Sequence, residues 1–110
     1  HRDLHSFPTR RSSDLELFEP LFQRDSLLVE RIVSRGQSTP QGEWYDQEQD
    51  EWILLLSGNA EILIEGEPPI TLVPGDSMLL PARCRHRVTR TASDCHTVWL
   101  AVHYGDIPKQ

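Results

Sequence analysis

The chain has 110 residues, enough for one domain with one modest core. Its 17 acidic and 11 basic residues give a net charge of −6 with no basic stripe, which argues against nucleic acid and an anionic membrane as partners. The longest apolar runs, Trp52 to Leu56 and Val98 to Val102, are far too short to span a bilayer, and two cysteines are too few for a disulfide scaffold. A cytoplasmic domain with reduced thiols is expected.

The first fifteen residues stand apart from the rest. The stretch from His5 to Leu15 resembles the in-frame translation of a widely used DNA-sequencing adapter. Its basic start is followed by no apolar stretch of the kind a signal peptide needs. Residues 1–15 are therefore read as a non-native or disordered tail, and 16–110 as a single domain. Setting the tail aside removes three Arg and two Asp and leaves His86, His96 and His103 as the histidines of the domain.

From there the chain reads as short strands cut by turn signals, the pattern of a sandwich or barrel. Glu16 to Phe22 is ambiguous, because Pro20 argues against both a long helix and a central strand; an edge strand or short turn is expected. Leu27 to Val33 is a strand ended by Ser34-Arg35-Gly36. Glu51 to Leu56 is another, closed by Ser57-Gly58-Asn59. Ala60 to Glu65 alternates Ala60, Ile62 and Ile64 against Glu61, Leu63 and Glu65, as a half-buried strand does. Ile70 to Val73 and Ser77 to Leu80 flank the Pro74-Gly75-Asp76 turn. His86 to Thr91 and Thr97 to Tyr104 complete the set.

Side chains alternate along a strand, so Glu51, Ile53 and Leu55 share one face and Trp52, Leu54 and Leu56 the other. If Glu51 points inward, the second face is an apolar outer surface that needs covering by the N-terminal segment or by a second subunit, and a homodimer is expected. The last strand divides likewise, with Trp99, Ala101 and His103 on one side. Arg90 shares a parity with His86 and Val88 and is placed on the same face, where it could meet a ligand carboxylate.

Two pieces of sequence carry the chemistry. One is Glu51 followed after six residues by Gly58; the other is Gly75, Pro81 and His86. Together they resemble the two motifs of the cupin superfamily. The resemblance implies an all-β fold, a small cupin-type β-barrel of the jelly-roll or double-stranded β-helix kind, with Glu51 and His86 inside it. In that family the first motif also carries two histidines, separated by one residue, ahead of the glutamate. Here the corresponding positions hold Trp44 and Asp46 under one allowed spacing, or Tyr45 and Gln47 under the other. The second glycine of the later motif is Arg83, and its asparagine is Arg90. Within the superfamily the chain resembles a group of short single-domain bacterial cupins with a Trp-Tyr-Asp-Gln run before the glutamate and a Trp-Leu-Ala-Val-His-Tyr final strand.

The resemblance implies a divalent metal, iron, manganese, zinc or nickel, held by Glu51 and His86. Asp46 is the expected third ligand, and His103 the fourth if its face is inside. Trp44, Tyr45, Gln47 and Arg90 are the candidates to meet a small-molecule ligand. The alternative for Glu51 and His86 is a buried pair without metal. The functions left open are a metal- or small-molecule-binding cupin, a metal-dependent dioxygenase, isomerase or decarboxylase, and a metal-free sensor or sugar-binding module.

Overall fold

The computed structural model describes residues 16–105, together with the backbone of Arg10 and Arg11. Among these the strands are β1 (Arg10–Arg11), β2 (Leu17–Arg24), β3 (Leu27–Ser34), β4 (Asp50–Ser57), β5 (Ala60–Ile64), β6 (Ile70–Leu72), β7 (Ser77–Leu80), β8 (His86–Thr91) and β9 (Thr97–Tyr104). All pairings are antiparallel and form two sheets, a six-stranded one ordered β1-β2-β3-β9-β4-β7 and a three-stranded one ordered β6-β5-β8. The expectation that residues 1–15 add nothing to the fold falls mostly outside the described residues. Within it, Arg10 and Arg11 lie opposite Phe18 and Leu17 of β2.

The ambiguous segment around Pro20 is a strand. Proline has no N–H to give a ladder, and the β2–β3 register shifts between Pro20 and Phe22. The inner faces of the two sheets meet in a core of Ile53, Leu55, Leu80, Trp99 and Ala101 from the larger and Ala60, Ile62 and Leu72 from the smaller. At roughly 25 cal/mol per Å2 of apolar area removed from water, each large aliphatic side chain buried here contributes about 1.5–3 kcal/mol.

Two registers position the site. β4 runs beside β9 with Glu51 opposite His103, and beside β7 with Glu51 opposite Leu80. The parity expected for β4 holds: Glu51, Ile53 and Leu55 are buried, while Leu56 is exposed in a bulge. On the outside of the large sheet, Phe22, Val29, Val102, Trp52 and Leu79 are consecutive cross-strand partners. Below them Leu100 pairs with Leu54, and Val33 with Val98. This outer face is apolar over five adjacent strands.

Candidate functional site

Glu51 enters the interior because it shares a parity with Ile53 and Leu55, whose burial fixes which way β4 faces. His86 enters from the opposite sheet as the first residue of β8, where Pro81 and the 81–84 turn have delivered the chain. The Cys84 N–H bonds the Pro81 carbonyl at 3.0 Å and closes that turn. Arg83 has φ +64 within it, a left-handed conformation that costs a non-glycine residue about 1–2 kcal/mol. The Cys84 carbonyl then lies 3.0 Å from His86 Nδ1. A carbonyl only accepts, so Nδ1 donates, and in the neutral ring Nε2 is a lone pair turned toward the cavity.

His86 Nε2 is 3.8 Å from Glu51 Oε1. The other carboxylate oxygen, Oε2, is 3.9 Å from His103 Nε2. His103 is in turn hydrogen-bonded through Nε2 to Glu30 Oε1 at 3.0 Å. Glu30, His103, Glu51 and His86 thus form a chain of alternating carboxylates and imidazoles across the barrel. Burial raises the Glu51 carboxyl above its ordinary value; His103 and His86 oppose that shift, and the negative charge of Glu30 reinforces it.

In the segment ahead of β4 the two motif spacings fall on different faces. Tyr45 forms a two-way backbone bridge with His86, Tyr45 N–H to the His86 carbonyl at 2.8 Å and the reverse at 3.1 Å. The bridge stacks the Tyr45 ring on the His86 ring, with centroids 5.5 Å apart and an interplanar angle of 26°. Tyr45 and Gln47 therefore line the cavity. Trp44 and Asp46, of opposite parity, do not. Trp44 lies under the guanidinium groups of Arg85 and Arg87, 5.5 and 5.8 Å from its ring centroid. Asp46 is exposed, 3.2 Å from Arg83 Nε, so the expected third metal ligand is not brought to Glu51 and His86.

Arg90 also departs from expectation. The β5–β8 register steps from Glu61–Arg90 to Ile62–Val88, which leaves Thr89 as an extra residue. That bulge inverts the alternation, so Thr91 is buried where Arg90 was expected, and Arg90 is exposed and donates to Asn59 Oδ1 at 2.6 Å.

Glu30 is the member of the site that sequence reasoning missed. It is 2% exposed, on the inward parity of β3 with Leu28, Ile32 and Ser34. Its signal was present: a carboxylate on the same strand parity as two large apolar residues. Glu16 was missed too; Ser34 donates to it, and it lies at the cavity wall.

The cavity between the sheets has a volume of about 490 Å3. Aliphatic and aromatic side chains make its apolar wall, and the carboxylate–imidazole chain, with Glu16, Gln47 and Gln49, makes its polar side. That is the composition of a small-molecule site: apolar walls with a few convergent polar groups. The sequence profile of the cupin domain matches residues 30–103, a span that begins at Glu30 and ends at His103.

The chain belongs to the cupin family. Among solved structures this cupin is similar to a protein of Ralstonia eutropha JMP134 provisionally assigned as a mannose-6-phosphate isomerase, with 45% identity, a TM-score of 0.82, and 96% of this chain and 98% of that chain covered. It is also similar to a DMSP lyase of Ruegeria pomeroyi DSS-3, at 26% identity and a TM-score of 0.69; 93% of this chain aligns, but only 54% of the lyase. A cupin superfamily protein of Desulfitobacterium hafniense DCB-2, at 23% identity and a TM-score of 0.70, covers 91% of this chain and 84% of its own, and shows the shared fold. Comparison with curated protein sequences returns no significant match.

The family implies a metal, and the donor set can be tested against one. Glu51 and His86 offer an oxygen and a nitrogen on opposite sides of a gap. His103, the next donor, has Nε2 bonded to Glu30, and Asp46 is elsewhere. Among the described residues no group of three or more His, Cys, Asp or Glu side chains is arranged to hold a metal ion. Resident zinc centres ordinarily use three or four protein ligands. The set as it stands does not fit a resident metal.

Proposed function

We propose that this cupin binds a small molecule in its barrel mouth, against Glu51 and His86, without needing a resident metal. The observation that carries the reading is the buried Glu51 carboxylate, held between two imidazole nitrogens at 3.8 and 3.9 Å and open to an apolar-walled cavity. Both distances are beyond hydrogen-bonding range, so a ligand hydroxyl or amine placed there would gain bonds that the protein leaves unmade.

A second reading is proton-transfer catalysis of the isomerase type. It is favoured by the pairing of a carboxyl raised by burial with an imidazole whose tautomer is fixed by the Cys84 carbonyl. A general acid or base works best with its pKa moved toward the working pH, which is the direction burial moves Glu51. Glu51 would hold or release the proton, His86 Nε2 would accept one, and Tyr45 would orient the ligand by stacking.

The apolar outer face supports a homodimer. A symmetric second copy is the commonest cover for such a surface. The row from Phe22 to Leu79, which includes Trp52, supplies an apolar strip for such a contact.

The pocket reading is tested by thermal-shift screening of a panel of polyols, amines and organic acids, with every hit repeated on Glu51→Gln and His86→Ala. Hits that raise the wild-type Tm and are lost in both variants support it. Hits that survive in both place the binding elsewhere.

A further inference from the structure

We propose that the pocket takes a small organic cation with an apolar body, anchored by Glu51, and rejects anions, phosphorylated sugars included. The proposal rests on the pocket reading above and adds the charge class of the ligand. Three carboxylates face the cavity, Glu16, Glu30 and Glu51, and no Lys or Arg is among the described residues that line it. Of the two lining imidazoles, His103 is hydrogen-bonded to Glu30 and His86 through Nδ1 to the Cys84 carbonyl.

The arginines clustered in sequence around His86 are turned away. Arg83 pairs with Asp46 at 3.2 Å, Arg85 with Glu65 at 3.2 Å, and Arg90 with Asn59 at 2.6 Å. Phosphate recognition in proteins relies on guanidinium forks, ammonium groups or helix N-termini. The described residues contain no helix, and those that line the cavity include neither Lys nor Arg.

Glu51 is the independent sign of a ligand. Its side chain is only 8% exposed, it lines the cavity, and its nearest imidazole nitrogens stand beyond hydrogen-bonding distance. A buried carboxylate in that position is stabilised by any cation that reaches it. The cavity also brings Phe18, Tyr45 and Trp99 to its wall, and aromatic faces attract an ammonium group. Tyr45 senses the same acidic field. Its hydroxyl is raised above the ordinary phenol value, chiefly by burial and then by Glu16, Glu51 and Glu43.

The test uses the full chain and three probes of one shape: cyclohexylammonium, cyclohexanol and cyclohexanecarboxylate, titrated calorimetrically at pH 7 and low salt. The expected order is the ammonium at least tenfold tighter than the alcohol, with no measurable binding of the carboxylate or of mannose 6-phosphate. Glu51→Gln should weaken the ammonium at least fivefold. Carboxylate or phosphate binding as tight as the ammonium would overturn the charge assignment while leaving the pocket reading intact. So would an alcohol that matches the ammonium, or an unchanged ammonium affinity in Glu51→Gln. If none of the three binds, the pocket reading fails as well. If Glu51→Gln does not fold, the wild-type order decides.

Discussion

Replacing Gly58 by alanine should unfold this barrel far more readily than the same change at Gly75, although both are family-motif glycines with positive φ. Gly58 has φ +82 and Gly75 φ +94, so each variant strains the backbone by about 1–2 kcal/mol. Part of that is offset, because alanine also restricts the unfolded chain, by about 0.4–1 kcal/mol. The surroundings then separate the two sites. A Cβ on Gly75 meets nothing within 4 Å. A Cβ on Gly58 would lie 2.4 Å from Thr97 Oγ1, 2.6 Å from Thr97 Cα and 2.8 Å from the His96 carbonyl oxygen. Two of those contacts are backbone, and Thr97 is fully buried with its hydroxyl donating to the Asn59 carbonyl at 3.2 Å. The clash cannot be relieved by swinging a side chain. Overpacking of this kind costs about 1–3 kcal/mol more. Gly75→Ala should therefore lose about 1 kcal/mol and Gly58→Ala about 2–4 kcal/mol. For a domain this size that corresponds to about 5 °C and about 10–20 °C in Tm. Urea denaturation and thermal melts of the two variants measure both. Equal losses would refute the idea that Gly58 is required by close approach to β9 rather than by its φ angle alone.

Glu51→Gln should gain stability over wild type as pH rises above 4.5 and differ little from it near pH 4. Because burial raises the folded-state pKa of Glu51, its contribution is fully present below the ordinary value of 4.5 and is lost as pH rises through the folded value. A wild-type Tm advantage that grows with pH would show that this sign is wrong. Loading wild type with iron(II), manganese, nickel or zinc, followed by gel filtration, should leave well under one metal per chain. Stoichiometric metal that disappears in His86→Ala would instead establish a resident centre. Light scattering should give twice the monomer mass, and Trp52→Glu, in the middle of the outer apolar row, should give a monomer. A monomeric wild type would rule out the dimer.

The strands were legible because period-two alternation and the glycine and proline turns agree along the chain, and Ser77–Leu80, His86–Thr91 and Thr97–Tyr104 match the expected bounds. Glu51 and His86 followed from the same alternation. The parts that were not legible depend on contacts distant in sequence. Whether Tyr45 or Trp44 faces the cavity is decided by a backbone bridge to His86, forty-one positions on, which no local pattern encodes. Arg90 was misplaced because a bulge at Thr89 adds one residue to the strand, and a single extra residue moves every later side chain to the other face. Asp46 looked like a ligand because its type suits a metal, but its loop parity sends it to Arg83. Glu30 was passed over because a charge in an apolar strand usually marks the solvent side, whereas here it serves His103.

The central claim is that ligands bind in the cavity between Glu51 and His86, and chemical-shift mapping tests it most directly. With isotope-labelled protein and cyclohexylammonium as the probe, the largest backbone and imidazole shifts should fall on Tyr45, Glu51, His86 and His103, all around one cavity on two sheets. Shifts confined to Trp52, Leu79 and Val102 on the outer face, or spread evenly over the surface, would contradict the account.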